Sequence, residues 1–270
     1  MSRSVEHHRR VSVDDWGRDL RDLITRGRDA YGAGEVLGVL QREVASLTLG
    51  LDGLPPVLQA DRPVLGVDAC VAGWVGVLLG HDARLTVHVA STISALVAQV
   101  REGADVAVVA IDIPIGLPDD GVLRQADLLA RQALPGKESA VRGATTRVAY
   151  RNDEFDVLGP KVLEVDAWVR DDPGTRVIEV EPELCFARLA GDPVLAAKRT
   201  DEGVQARREA LGRAGIVPPP WYSGSGFAEH DLLDACAALW TAVRHLNGQS
   251  ESLPPEPEVF SDGLPAAIRV

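Results

Sequence analysis

The chain of 270 residues contains little cysteine, and what it has is scattered. Its three cysteines, Cys70, Cys185 and Cys236, lie far apart in apolar runs and include no C-x-x-C pair. An odd number with this spacing excludes a disulfide-stapled small protein and predicts reduced, buried thiols. The histidines are equally dispersed, so no set of Cys and His side chains has the spacing of a structural zinc site.

The sequence also lacks long hydrophobic runs and an excess of positive charge. No apolar stretch reaches the roughly 18 residues of a membrane span, and no secretory signal is recognisable at the N-terminus, which predicts a cytoplasmic protein without membrane contact. There are 28 Lys and Arg residues against 40 Asp and Glu, which gives a net charge of −12. A basic surface of the kind that coats nucleic acid is therefore excluded, and a polyanionic partner has to dock locally.

The hydrophobic pattern changes near residue 63. Residues 1–62 show apolar side chains at three- and four-residue steps, which predicts a helical arm and linker that contacts the chain's own domain or a partner chain. The runs VLGVDAC, WVGVLLG and LTVHVAS predict an antiparallel meander of three strands. Helical segments then alternate with strands such as VAVVAIDIPIG and TRVIEVEP. Residues 63–270 are thus predicted to form one α/β domain, a mixed sheet flanked by helices.

Carboxylates interrupt segments that should be the most apolar. Asp68 lies in the first strand and Asp112 in VAVVAIDIPIG, where an ionised side chain is costly unless a cation or hydrogen bonds compensate it. If the two strands are neighbours, the acids repel each other unless a divalent cation lies between them. Oxygen ligands without His or Cys suit Mg²⁺ or Mn²⁺. The alternative is that each Asp ends its strand and bonds a turn.

Two further segments carry paired acids. In TRVIEVEP, Glu179 and Glu181 share one face and Glu183 opens the next helix, although a solvated edge strand explains the same pattern. Asp231 and Asp234 share one face of the first turn of a strongly apolar helix. That helix either delivers both carboxylates to a metal, or the acids only cap it and stabilise its dipole.

Several blocks resemble a known family in the same order along the chain. GVDACVAGWVGVLL, AIDIPIGLP, RVIEVEPELCFARLAGDPVLAAKRTDEG and DLLDACAALWTA are similar to family 429 of the domain-of-unknown-function series, described as predicted RNase H-like nucleases. The helix opening D-x-x-D-A also resembles the last helix of RuvC-type junction resolvases. The likeness covers about residues 64–270 and implies an RNase H-like fold, with an antiparallel meander followed by parallel strands.

The resemblance implies a hydrolase that cleaves phosphodiester bonds of a nucleic acid by a two-metal mechanism with Mg²⁺ or Mn²⁺. It implies that the side chains that bind the metals and carry out catalysis are Asp68, Asp112, Asp231 and Asp234. Glu183 is implied as a further catalytic carboxylate. The chain departs from the family pattern where His-Pro-Glu is expected, because it has Glu181-Pro182-Glu183. A ligand or proton-shuttling role of that His would be altered by Glu181.

Substrate contacts are expected from residues 135–151, which carry a local excess of positive charge in an acidic chain. The charged side chains there are Lys137, Arg142, Arg147 and Arg151 against Glu138. The predicted substrate-binding residues are Lys137, Ser139, Arg142, Arg147 and, from the block LAAKRTDEG, Lys198. A solvated surface loop is the alternative for residues 135–151.

Two other functions stay open at this point. One is a non-catalytic module whose acidic core holds a structural cation or a partner protein. The other is an actin-like, ATP-binding phosphotransferase, which is less favoured because the Gly-containing segments match neither a P-loop nor G-x-G-x-x-G. The sequence does not discriminate DNA, RNA, a branched junction or a smaller phosphate compound as substrate.

Overall fold

The computed structural model describes residues 21–29, 32, 36, 38, 40, 58–121, 123–171 and 173–270. The chain divides into two compact units, residues 1–51 and 52–270. In the first unit, residues 21–29 form a helix, in agreement with the helical pattern there. Most of the predicted arm lies outside the described residues, so its contacts and its boundary at residue 62 stay predictions.

Seven strands form one mixed sheet in the second unit, in the order β3-β2-β1-β4-β5-β7-β6. In chain order the strands are β1 (Val64–Cys70), β2 (Gly73–Leu79), β3 (Leu85–Ala90), β4 (Val108–Ile111), β5 (Arg176–Val180), β6 (Ser252–Val259) and β7 (Pro265–Arg269). The first three pair in antiparallel fashion, whereas β1, β4, β5 and β7 pair in parallel. This confirms the predicted meander followed by parallel strands, which is the architecture of the RNase H-like fold.

Helices cover both faces of the sheet. They are α1 (Ile93–Arg101), α2 (Gln125–Gln132), α3 (Arg147–Arg151), α4 (Gly159–Arg170), α5 (Pro182–Ala190), α6 (Asp201–Arg213) and α7 (Glu229–Leu246). Buried side chains of α2, α5, α6 and α7 form one core with one face of the sheet, and those of α1 and α4 form a second core with the other. None of the described helices is both long and apolar enough to cross a membrane.

The central strands are buried on both faces, which explains their continuous apolar runs. In β4, Val108 and Ala110 join the core under α7, while Val109 and Ile111 join the core under α1 and α4. β5 lies between β4 and β7, so the alternative that TRVIEVEP is an edge strand is wrong. Arg176 at its start is exposed, whereas Glu179 is buried in the interior at 4% exposure.

The structure adds elements that the hydrophobic pattern did not predict. β6 has the sequence SLPPEPEV and forms the edge of the sheet, the place where proline is tolerated because an outward-facing N–H is not needed. Residues 135–151 are not a plain loop, since they contain a short 3-10 helix, Glu138–Ala140, and α3. The central strands and the flanking helices agree with the predicted mixed sheet. The edge strand β6 and the helices within residues 135–151 were not predicted.

The backbone of α7 lies directly on β1. A Cβ atom added at Gly66 would be 2.2 Å from the carbonyl oxygen of Ala235 and 2.2 Å from the backbone nitrogen of Leu239. Because alternate residues of a strand face the same side, Asp68 faces α7 as Gly66 does. On the helix, Asp234 directly precedes Ala235. This contact therefore sets the first turns of α7 beside the carboxyl end of β1.

Replacing Gly66 with Ala should separate the helix from the strand. The added methyl group meets backbone atoms that cannot rotate away, so Gly66→Ala is expected to lower the free energy of unfolding by about 3 kcal/mol or more. Urea denaturation measures the change. Gly103→Ala is the control, because a Cβ at Gly103 has no heavy atom within 4 Å. Equal stabilities of the two variants would contradict the described contact.

Candidate active site

Carboxylates from three strand ends and from α7 form an acidic group inside the second unit. Asp68 lies in β1 and is 6% exposed, and Asp112 follows β4, with its N–H donating to the carbonyl of Val67 at 3.2 Å. Burial raises the pKa of Asp68, and the carboxylates of Asp112, Asp234 and Asp231 raise it further. The two strand acids that interrupt the apolar runs therefore do meet, as the sequence predicted.

The pKa values of Asp112 and Glu181 are raised for the same reasons as that of Asp68, namely burial and neighbouring carboxylates. Burial, followed by the charges of Asp234, Glu179 and Glu183, raises the pKa of Asp112 to about 7, although Lys198 opposes the shift. Burial also raises the pKa of Glu181, which follows β5, and Asp112 is the strongest charged contributor to that shift. The sequence placed Glu181 on one strand face with Glu179 and marked it as a departure from the family pattern, but it was not among the predicted site residues. Its place directly after a strand that pairs with β4 is the signal that would have added it to the site.

The two aspartates of α7 have different surroundings. One oxygen of Asp231 accepts from the backbone N–H of Ala228 at 2.8 Å, and its other oxygen lies 3.3 Å from Nε2 of His230. Asp231 thus caps the helix, as the alternative interpretation held. Asp234 is 1% exposed, and its Oδ2 accepts from Nζ of Lys198 at 2.7 Å. Its Oδ1 is buried without a hydrogen-bond partner among the described residues.

Glu183 is close to this group but already paired. Nη2 of Arg207 donates to its two carboxylate oxygens at 2.6 and 2.8 Å, and Nζ of Lys137 lies 3.5 Å away. Arg207 is fully buried, so the pair is shielded from water. The sequence of α6 did not reveal that Arg207, and not Arg208 beside it, binds Glu183. A residue with both oxygens engaged is less suited to hold a metal than Asp234.

Glu179 belongs to a separate buried network. Nη2 and Nη1 of Arg124 donate to its two oxygens at 2.7 and 2.8 Å, and the N–H of Ile115 donates at 2.8 Å. Arg124 also binds Asp127. Because these groups satisfy one another, Glu179 anchors α2 to the sheet. Glu181, two residues further along, is the glutamate that contributes to the acidic group.

Of the predicted substrate-binding residues, two reach the acidic group. Lys137 approaches Glu183 and Lys198 binds Asp234, as described above. Ser139 is exposed in the short 3-10 helix. The ammonium groups of both lysines therefore face carboxylates in this structure.

The remaining two predicted substrate-binding residues are engaged elsewhere. Arg142 is exposed and pairs with Asp156 at 2.9 Å. Arg147 pairs with Asp166 at 3.0 Å and also with Asp262, and its side chain is 17% exposed. The structure therefore does not bring Arg147 to the acidic group, because its guanidinium ties α3 to α4 and to the turn before β7.

The donor chemistry of the site fits a hard divalent cation. Asp68 and Asp234 supply buried carboxylate oxygens and Asp112 supplies a half-buried carboxylate, and Oδ1 of Asp234 lacks the partner that a buried acceptor requires. Within the described residues, no three His, Cys, Asp or Glu side chains already stand in a metal-holding geometry. The ligands would have to close around an ion.

The strand order and the covering helices define an RNase H-like fold, with a group of carboxylates at the ends of its central strands. Residues 66–259 match the family model described as protein of unknown function (DUF429), and the chain belongs to that family. No curated protein matches the chain. Among solved structures, Thermus thermophilus RuvC is 18% identical, with 69% of this chain and 97% of that chain covered and a TM-score of 0.33.

Arg207 should stabilise the folded protein largely by neutralising Glu183. Arg207→Met leaves a buried carboxylate without its cation and is expected to cost about 3 to 5 kcal/mol in the free energy of unfolding. Adding Glu183→Gln removes the uncompensated charge and should recover part of that loss. Urea denaturation of the single and double variants measures the coupling, and additive losses would contradict the pairing.

The metal-free protein should lose stability as the pH rises from about 4 to about 7. The folded-state pKa of Asp112, about 7, lies above its ordinary value of 3.8, so protonation favours the folded state. This contribution is complete below the ordinary value and is lost as the pH passes through 7, by up to about 4 kcal/mol. Urea denaturation in a chelator should show a shallower pH dependence for Asp112→Asn. Identical dependences would contradict the assignment.

Proposed function

We propose that this protein is a metal-dependent nuclease that hydrolyses phosphodiester bonds of a nucleic acid docked locally at the acidic group. The observation that carries the proposal is a set of carboxylates held together against their mutual repulsion, of which Asp68 and Asp234 are buried and Asp112 and Glu181 half-buried. Such a group costs stability, and a cation relieves that cost. The unpartnered oxygen of Asp234 favours an added cation over a purely structural role.

The residues that would hold Mg²⁺ or Mn²⁺ are Asp68, Asp112 and Asp234, with Asp231 as an outer ligand. When bound, such ions polarise a water molecule and stabilise the leaving oxygen of the phosphodiester. Helix α7 presents Asp234 to the strand acids, and the cap to Ala228 fixes Asp231. These contacts would keep the carboxylates near one another, so that they could close around an ion.

Two further carboxylates would support these ligands. Arg207 fixes the direction of Glu183, which we therefore place behind the ligands as a positioning residue and not among them. Glu181 has a raised pKa and can carry a proton at its carboxyl group beside Asp112. In the related pattern a His is expected here, so the acid would take over the proton-carrying role. The substrate strand would lie along residues 135–151, where Ser139 and Arg142 are exposed.

Cleavage assays test the proposal directly. The purified protein should cleave DNA, RNA or a branched substrate only with Mg²⁺ or Mn²⁺, and Asp68→Asn and Asp234→Asn should each lower the rate by roughly 100-fold or more. Asp192→Asn is the matched control, because Asp192 is exposed and outside the acidic group. Equal rates for wild type, Asp68→Asn and Asp234→Asn would remove the site.

A non-catalytic module is the second candidate, and a specific observation favours it. Lys198 and Arg207 already neutralise Asp234 and Glu183, and Asp231 serves as a helix cap. In this case a divalent cation would raise the melting temperature of the wild type, and Asp68→Asn would abolish that rise. No turnover would accompany either change on any nucleic acid.

A further inference from the structure

We infer that Lys198 is a built-in counter-cation of the acidic group and that a divalent ion has to displace it. The inference rests on the proposed function, since it concerns the same carboxylates. Nζ of Lys198 lies 2.7 Å from Oδ2 of Asp234, a distance at which the two groups form a charge-assisted hydrogen bond. The ammonium group therefore occupies one of the two carboxylate oxygens of Asp234, beside the unpartnered Oδ1.

Lys198 acts on the strand acids as well as on its ion-pair partner Asp234. Its charge lowers the pKa of both Asp68 and Asp112. Arg207 and Lys137 form their ion pairs with Glu183. Lys198 is thus the cation bonded directly to Asp234, and the charge of Arg207 adds to its effect on that carboxylate.

The backbone on both sides of Lys198 is fixed, so the placement of its side chain is specified by the fold. The carbonyl of Ala196 accepts from Arg207 at 3.2 Å, and that of Ala197 accepts from the hydroxyl of Thr200 at 2.9 Å. Gly203 allows this approach, because a Cβ there would be 1.9 Å from the oxygen of Ala197. Arg207 therefore supports both Glu183 and the segment that carries Lys198.

The side chain nevertheless has a route to solvent. Lys198 is 38% exposed, whereas the side chain of Asp234 is 2% exposed. A long, flexible lysine can rotate outward without moving its anchored backbone, while the carboxylate stays in place. The two partners of this ion pair are thus unequal, and the cation is the one that can leave.

A divalent ion bound by Asp68, Asp112 and Asp234 would lie within a few ångströms of the ammonium group. Like charges at that distance repel strongly in a partly buried site. Binding of the ion therefore requires the ammonium to leave Asp234, and the cost of that exchange weakens the affinity for the ion. In the metal-free protein, the ammonium of Lys198 instead offsets the negative charge of the acidic group.

Titration of Mn²⁺ without nucleic acid tests the inference. Lys198→Gln should bind Mn²⁺ at least about tenfold more tightly than the wild type, because no ammonium has to be displaced. Lys198→Arg retains the charge and should bind no more tightly than the wild type. Arg199→Gln removes an exposed charge at the adjacent position and serves as the matched control, with little change expected. Chelator competition, starting from Mn²⁺-loaded protein, measures the affinities even if metal-free Lys198→Gln is unstable.

Adding Asp68→Asn to the wild type and to Lys198→Gln distinguishes the proposed metal site from the counter-cation role of Lys198. If the wild type binds Mn²⁺ in a manner that Asp68→Asn abolishes, but Lys198→Gln binds no more tightly, the counter-cation role is wrong and the proposed metal site survives. If neither the wild type nor Lys198→Gln shows binding that depends on Asp68, both the inference and the proposed function fail. Tighter, Asp68-dependent binding by Lys198→Gln supports both.

Discussion

The contact between α7 and β1 is the constraint on which the acidic centre depends. Gly66 leaves room for the helix backbone at Ala235 and Leu239, and no residue with a Cβ could do so without moving the helix. The same contact brings Asp234 beside Asp68 and buries the apolar remainder of α7 in the larger core. Packing free energy from that core thereby holds together carboxylates that would otherwise separate.

Buried charge in this protein falls into two kinds. The networks of Arg124 with Glu179 and of Arg207 with Glu183 are closed at the carboxylates, because guanidinium groups satisfy both oxygens of each, although Nε of Arg207 has no partner among the described residues. Around Asp234 the compensation is incomplete, since a flexible ammonium binds one oxygen and the other has no described partner. Closed networks stabilise a fold, whereas an open one leaves capacity for a ligand. The net charge of −12 is thus partly internal, so an acidic chain is compatible with the polyanionic substrate that we propose.

The spacing of apolar residues predicted the meander, β4, β5 and α7. It also placed Asp68 and Asp234 within these elements and Asp112 at the end of β4. It missed β6, because three prolines hide a strand that only pairing with β7 defines. It also could not assign Arg147 to Asp166 or Lys198 to Asp234, since those partners are 19 and 36 residues apart in the chain. Periodicity reports which face a residue takes, but ion pairing depends on how distant elements meet.

The central claim is that Asp68, Asp112 and Asp234 together hold a divalent cation. Anomalous diffraction from a crystal soaked in Mn²⁺ tests it most directly, because the signal locates the ion without reference to activity. The account predicts a peak bonded to oxygens of all three side chains, with Nζ of Lys198 withdrawn from Asp234. A fully soaked crystal with no peak there, and with the ammonium still bound to Asp234, would contradict it.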